Sequence, residues 1–119
     1  MVNDMSDSKD ALFLPHQNGE TIEFNLYLSG PIDVAKQTIR AECLADGLCV
    51  TVTPTLFIYT GGEENGYVVG IRNYPRFPSD IISLRARAVT LMQKLLDATM
   101  QHSAMLVGPH ETTWITKRK

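Results

Sequence analysis

The sequence lacks the features that would place it in a membrane or outside the cell. It contains no run of about 18 consecutive apolar residues, the length that a membrane-spanning helix needs. The first ten residues, MVNDMSDSKD, are polar and acidic and do not resemble a secretion signal. Two cysteines, Cys43 and Cys49, are too few for a disulfide framework. These absences predict a cytoplasmic protein with reduced thiols.

The sequence also lacks the motifs of common catalytic and metal-binding sites. GxSxG and HExxH do not occur, and TGGEENG at 60–66 has neither the lysine nor the following helix of a phosphate-binding loop. The two cysteines are not followed by the second ligand pair of a zinc site. Three histidines lie at the ends of predicted elements: His16, His102 and His110. The sequence therefore predicts a non-enzymatic protein with no metal and no cofactor.

The length and composition that are present predict one small globular domain. The chain has 119 residues, of which 44% are hydrophobic, and this is enough to bury a single core. We expect a flexible tail over 1–10, a single α+β domain over 11–116 and a basic tail over 117–119. The net charge of -2 argues against an extended nucleic acid as a partner, because such binding depends on neutralising phosphates.

The hydrophobic pattern predicts alternating strands and helices. TIEFNLYL at 21–28 alternates as a half-buried strand does, and 29–47 and 78–101 carry apolar residues at helical spacing. A hairpin lies between the helices, and SAMLVG at 103–108 is a last strand. The order is the ferredoxin-like βαββαβ pattern, a two-layer sandwich with both helices on one face of an antiparallel sheet. ALFL at 11–14 and ETTWIT at 111–116 are candidates for an extra strand at each end.

Both predicted helices have readable ends. Ser29 or Gly30 is suited to cap the first helix, with Pro31 at its first helical position. Gly47 is suited to the left-handed conformation that ends this helix. Ser79 is the expected cap of the second helix.

The face of the sheet without helices is expected to carry aromatic and β-branched side chains. Alternation places five residues there: Tyr27, Thr51, Thr53, Phe57 and Tyr59. An exposed aromatic patch is usually covered by a partner, so we expect a homo-oligomer. Trp114 follows the Gly108-Pro109 break and could reach across to a neighbouring subunit.

An arginine-rich segment, GIRNYPRFPSD at 70–80, is the candidate ligand site. Four of the eleven basic residues lie between positions 72 and 87, and only Asp80 opposes them. Because a helix starts in this segment, its N–H groups would also favour an anion. The predicted ligand is an anionic small molecule, with a nucleotide as the first candidate: arginines would bind its phosphate and aromatic rings would stack on its base. The predicted ligand-binding residues are Arg72, Asn73, Tyr74, Arg76, Phe77, Arg85 and Trp114, with Trp114 or Arg118 coming from a neighbouring subunit.

Two other interpretations fit the same residues. Asn73 and Pro78 are equally suited to a plain strand-to-helix turn, and Asp80 would compete with an anion for the helix start. Arg85 and Arg87 lie about 200° apart on a helical wheel, so both cannot face one ligand.

The alternative function is a protein-interaction module that inhibits or recruits a host protein through the open sheet face or an edge strand.

The hairpin and the turn that follows it, TPTLFIYTGGEENGYVVGIRNYPRFPSD at 53–80, resemble those of small α+β accessory proteins carried by phages and prophages. The resemblance extends over roughly 24–114. It implies a host-directed role, such as sequestering a defence signal nucleotide or binding a defence protein. It assigns no functional residue and does not separate the two functions above.

Overall fold

The computed structural model describes residues 17–117, which contain two helices and five strands. In chain order these are β1 (Glu23–Ser29), α1 (Ile32–Asp46), β2 (Val50–Tyr59), β3 (Gly62–Arg72), α2 (Ile81–Ala98), β4 (Ser103–Val107) and β5 (Thr112–Thr116). The predicted tail at 1–10, the strand arm at 11–14, His16 and Arg118 lie outside the described residues.

The five strands form one antiparallel sheet in the order β2-β3-β1-β4-β5. Its first four strands have the ferredoxin-like arrangement, and β5 extends the sheet beside β4. The predicted α+β fold is therefore confirmed, together with the extra strand at its C-terminal side.

The core lies between the sheet and the two helices. β1 alternates as its sequence predicts, with Phe24, Leu26 and Leu28 buried. α2 lies across β1, β3 and β4, and α1 packs beside α2. The buried face of α2 repeats at helical spacing: Leu84, Ala88, Leu91, Met92, Leu95 and Leu96. Each fully buried leucine contributes about 1.5–3 kcal/mol of transfer free energy, so this stripe holds the two layers together.

The opposite face of the sheet carries the residues that alternation assigns to it. Tyr27 pairs with Val68 on one side and Met105 on the other, and Met105 pairs with Trp114. Thr51 and Phe57 alternate with Val50 and Val52, whose side chains pack against the core. This face is not covered by either described helix.

The starts of both helices differ from the predicted ones by one residue, and the predicted end of α1 is confirmed. Pro31 is the extended N-cap of α1, and no side chain caps this helix. Asp80, not Ser79, caps α2, because its carboxylate accepts a hydrogen bond from the Ser83 amide at 2.7 Å. Gly47 ends α1 with a φ of 63°, the left-handed conformation predicted for it.

The Gly108-Pro109 break is a tight turn between neighbouring strands. The amide of Gly108 donates to the carbonyl of Glu111 at 2.9 Å, and β5 then pairs with β4 of the same chain. Trp114 therefore belongs to the sheet of its own chain, and its contact with a neighbouring subunit stays a prediction. Neither helix of the described range is long and apolar enough to span a membrane.

Candidate functional site

Arg72, the first predicted phosphate ligand, lies beside a carboxylate. Its Nη2 atom donates to Glu23 Oε2 at 3.0 Å, and about half of the arginine side chain is exposed. The hydrogen bond from Arg72 lowers the pKa of Glu23 below its usual value. The guanidinium is thus already partly neutralised by a neighbour on β1.

Asn73 and Tyr74 shape the turn between β3 and α2. The Asn73 side chain accepts from the Ser79 amide at 2.8 Å and donates to the Glu20 carbonyl at 2.7 Å. Tyr74 accepts a hydrogen bond from the Cys49 thiol at 3.6 Å, and this contact raises the pKa of Tyr74. Asn73 therefore holds the turn by its own hydrogen bonds, as the alternative turn interpretation requires.

The remaining predicted ligand residues do not converge on one place. The Arg76 guanidinium lies over the Phe77 ring, 5.5 Å from its centroid, and Phe77 is 69% exposed. Arg85 lines a separate pocket against the β4–β5 turn. Trp114 lies on β5, with β1 and β4 between it and β3. A role for these residues in ligand binding stays a prediction, and they do not form a single composite site within one chain.

A larger cleft lies where α1 begins and where the β2–β3 hairpin extends past the end of β1. Its volume is about 360 Å³, within the range of small-molecule sites. The start of α1 forms one wall of this cleft, and the two strands of the hairpin form the other. The lining residues are Gly30, Pro31, Ile32, Asp33, Pro54, Thr55, Asn65 and Gly66. We call this the α1 cleft.

The sequence Ser29-Gly30-Pro31 places the start of α1 directly after β1. Gly30 has a φ of 119°, which a residue with a side chain rarely adopts, and its amide donates to the Asn65 carbonyl at 3.3 Å. Pro31 then fixes the chain direction into the helix. The abrupt transition leaves the first turn of α1 beside β3.

The hairpin is held against β1 by two further contacts. The Ser29 hydroxyl donates to Glu64 Oε1 at 2.7 Å. At Gly66 a Cβ atom would collide with the Phe57 ring and the Leu28 carbonyl, so glycine permits the close approach of β1, β2 and β3 there. These contacts fix the hairpin wall of the α1 cleft.

The α1 cleft combines an acidic side chain with the positive end of a helix. Asp33 is the one ionisable residue that lines it in the described part of the chain. Glu63 lies two residues from Asn65, on the same face of β3. No side chain caps α1, so the N–H groups of its first turn have no side-chain acceptor. The cleft can therefore hold a cationic group near Asp33 and a carboxylate near the helix start.

A second groove, between α1 and the edge strand β2, has a different character. Its volume is about 550 Å³, and it is lined by Ile39, Val50 and Val52 together with Lys36 and Arg40. The positive charges of Lys36 and Arg40 would repel a cationic ligand. The α1 cleft is therefore the better site for a positively charged small molecule.

The described residues contain no cluster of three or more side chains that could hold a metal ion. The α1 cleft also offers no thiol or imidazole. Its polar groups are a carboxylate, a hydroxyl, an amide side chain and backbone N–H groups. Such groups bind and orient a ligand, and the carboxylate can also accept a proton.

Sequence reasoning missed the residues of the α1 cleft. The sequence pattern places Gly30 and Pro31 at the start of a helix and Asn65 in the predicted hairpin. Asp33 belongs to no motif, and Thr55 lies in the predicted hairpin without one. The sequence offers Ser29 as a cap for this helix, so only the structure shows that no side chain caps α1 and that its first N–H groups are left for a ligand.

The fold is similar to that of two solved structures of a phage SAM lyase. One, in complex with S-methyl-5'-thioadenosine (MTA), has a TM-score of 0.70 and 15% sequence identity, covering 87% of this chain and 95% of that chain. The other, in the apo state, has a TM-score of 0.68 and 15% identity, covering 90% of this chain and 98% of that chain. No family model and no curated protein matches this sequence.

The two similar structures agree with the resemblance to phage proteins and overturn the expectation of a non-enzymatic protein. Both are phage proteins, in agreement with the resemblance to phage accessory proteins, and one holds a small molecule. Both are enzymes, and the expectation of a non-enzymatic protein, whether a nucleotide binder or a protein-interaction module, is therefore wrong. No catalytic motif in the chain pointed to an enzyme.

Proposed function

We propose that this chain is an enzyme that cleaves S-adenosylmethionine (SAM) and releases MTA, and that the α1 cleft binds the substrate. The proposal is carried by the similarity of nearly the whole fold to a lyase of SAM that was solved with MTA bound. The identity of 15% leaves the residues that bind and react to be inferred from this chain itself.

The α1 cleft matches SAM in size and in charge. SAM joins an adenosine to an amino acid through a positively charged sulfonium, and a cleft of about 360 Å³ is large enough for a nucleoside-sized molecule. The N–H groups at the start of α1 suit the carboxylate of the amino acid. Asp33 suits the sulfonium or the ammonium group, and Thr55 and Asn65 offer hydrogen bonds to the ribose and the adenine.

The proposed reaction breaks the bond between sulfur and the γ-carbon of the amino-acid chain. The electron pair of this bond stays on sulfur, which becomes the neutral thioether of MTA. The four-carbon fragment can close on itself, its own carboxylate oxygen bonding to the γ-carbon with no proton transfer. It can instead lose a proton from the β-carbon to a base, forming a carbon–carbon double bond.

The two routes require different things from Asp33. Ring closure needs no protein base and is favoured where the carboxylate and the sulfonium meet with little water, because their charges cancel in the transition state. Proton loss needs a base, and Asp33 is the cleft-lining residue of the described chain that can act as one. General-base catalysis is worth roughly 10²–10⁴ in rate, so kinetics separate the routes.

The test is to incubate the purified protein with SAM and to quantify MTA by liquid chromatography with mass spectrometry. We expect MTA to accumulate with enzyme concentration and time. Asp33→Asn is expected to raise KM for SAM; a fall in kcat of more than about a hundredfold would assign Asp33 as the base. An unchanged kcat would assign ring closure.

The matched control is Asp46→Asn, which removes the same charge from the other end of the same helix. Asp46 is the last residue of α1, roughly 20 Å from Asp33 along the helix axis, and it does not line the α1 cleft. Its kcat and KM should equal those of the unmodified protein. Absence of both MTA release and SAM binding would contradict the proposed function.

A further inference from the structure

A second pocket lies at the opposite end of β1 from the α1 cleft, roughly 20 Å away by the length of the strand. It is bounded by the start of α2 and by the turn between β4 and β5, and its volume is about 100 Å³. Its apolar side is formed by Phe24, Ile81 and Leu106. Phe24 and Leu106 are almost completely buried, so this floor is part of the core.

Three ionisable side chains line the same pocket: Arg85 from α2, and His110 and Glu111 from the β4–β5 turn. Within residues 17–117, none of the three side chains makes a hydrogen bond or an ion pair. Arg87, two residues further along α2, instead donates to the Asp46 carbonyl at 2.8 Å. Arg85 is half-buried, and its guanidinium, beside an apolar floor, is available to an anionic group of a ligand.

The turn that carries the rim of this pocket is held in place. Gly108 donates its amide to the Glu111 carbonyl at 2.9 Å. A Cβ atom on Gly108 would lie 2.8 Å from Cε1 of Phe24, so only glycine allows the turn to lie this close to the ring. A fixed rim lowers the entropy that a ligand must overcome on binding.

The lining defines the chemistry of the ligand. Arg85 can hold a carboxylate through two parallel hydrogen bonds, and Glu111 can hold an ammonium group. The apolar floor accepts a short aliphatic chain between them. Since a cavity of about 150 Å³ holds benzene, a volume near 100 Å³ suits a small aliphatic group and excludes an adenosine.

We propose that this pocket, lined by Phe24, Ile81, Arg85, Leu106, His110 and Glu111, is a second ligand site that binds a small zwitterion with an apolar side chain, such as a free aliphatic amino acid. The site is separate from the α1 cleft and does not rest on the proposed reaction there. The same protein can therefore cleave SAM without binding the zwitterion, or bind it without cleaving SAM.

The test is a titration of the full chain with L-leucine, followed by methyl NMR and by isothermal titration calorimetry. We expect saturable shifts of the Ile81 and Leu106 methyl signals at millimolar leucine or below, and no shift of Ile32, which lines the α1 cleft. Leucinamide lacks the carboxylate and 4-methylpentanoate lacks the amine. Each should bind at least about tenfold more weakly than leucine if both charges are recognised.

Two variants and one control assign the contacts. Arg85→Gln and Glu111→Gln should each weaken leucine binding by about tenfold or more, and Arg87→Gln, on another face of α2, should leave it unchanged. The NMR spectrum of each variant reports whether it is folded. The proposal is overturned if leucine causes no saturable shift at Ile81 and Leu106. Equal binding of leucine and 4-methylpentanoate, or binding that survives both variants, would overturn it as well.

Discussion

Asp33 is the residue on which the electrostatics of the α1 cleft depend most. Its side chain is exposed, so water and salt screen its attraction for a cation. Removing an exposed charge of this kind changes an affinity by a few-fold and not by orders of magnitude. A large loss of rate in Asp33→Asn would therefore report proton transfer, because lost attraction alone is too weak to cause it.

Ligand binding by the arginines of the β3–α2 turn is a prediction that one double variant can test. If Arg72 and Arg76 hold phosphate, ATP should bind to the unmodified protein, and Arg72→Ala with Arg76→Ala should abolish this binding without unfolding the chain. Isothermal titration calorimetry measures the binding, and circular dichroism measures the fold. ATP binding that is unchanged in the double variant would contradict the prediction.

The contacts of single residues could be predicted only where they are local. Gly47 was assigned correctly because the end of a helix imposes one backbone conformation on its own residue. Glu23 could not be assigned to Arg72, because 49 positions separate them and the register of β1 with β3 brings them together. Asp33 was missed for the same reason: the other wall of its cleft comes from a distant hairpin.

At the scale of elements, the start of α2 offers a direct comparison of two adjacent residues. Asp80→Ala should lower the melting temperature at pH 7, because Asp80 caps the helix, whereas Ser79→Ala should leave it nearly unchanged. The hydrogen bond from Ser83 lowers the pKa of Asp80 below its usual 3.8. The stabilisation is therefore complete above pH 3.8 and is lost as the pH falls through the lowered pKa.

Thermal unfolding of both variants from pH 7 to pH 2.5, followed by circular dichroism, checks this prediction. The difference between Asp80→Ala and the unmodified protein should shrink at the acidic end. A larger effect for Ser79→Ala would show that the sequence-based assignment of the cap was correct.

The two helices are joined by an ion pair that is buried on one side only. Glu42 on α1 is 8% exposed and Lys94 on α2 is 51% exposed. The hydrogen bond that Lys94 donates to the Glu42 carboxylate raises the pKa of Lys94 above its usual 10.5. Lys94→Met leaves the Glu42 carboxylate buried without its cation, so we expect a lower melting temperature at pH 7.

The pH dependence of this pair has a definite sign. Because the pKa of Lys94 is raised in the folded protein, its stabilisation is complete below pH 10.5 and is lost as the pH rises through the raised pKa. The difference between Lys94→Met and the unmodified protein should therefore disappear in strong alkali. Lys117→Met is the control, since its pair with Asp97 is exposed on both sides and is worth at most about 1 kcal/mol. Equal effects of the two variants at pH 7 would contradict the account.

The elements themselves were largely predictable from the sequence. Period-two alternation in β1 and helical spacing in α2 are strong patterns because each element buries one face. The five residues of β5 follow a Gly-Pro turn, and their hydrophobic pattern is too short to distinguish a strand from an extended arm. Its pairing with β4 is a tertiary contact.

For the whole molecule, self-association stays a prediction, and the structure supplies a surface for it. β2 is an edge strand of ten residues, and Ile58 on it is 74% exposed. Light scattering after gel filtration should give a mass that is a multiple of 13.3 kDa. Ile58→Lys should reduce this mass, and Ile82→Lys, which changes an 80% exposed isoleucine on α2, should not. A monomer at micromolar concentration would contradict the prediction.

The proposed enzymatic function could not be predicted from the sequence. A site made of a helix start, two strands and one carboxylate leaves no motif of fixed spacing in the chain. The overall fold is retained at 15% identity, because many sequences with the same hydrophobic pattern satisfy one packing arrangement. The comparison of whole folds therefore carried information that motifs did not.

The most direct test of the central claim is the conversion of SAM to MTA by the purified protein, measured by mass spectrometry. We predict MTA release that scales with protein concentration, a raised KM in Asp33→Asn and unchanged kinetics in Asp46→Asn. A protein that is folded but neither binds SAM nor releases MTA would contradict the account.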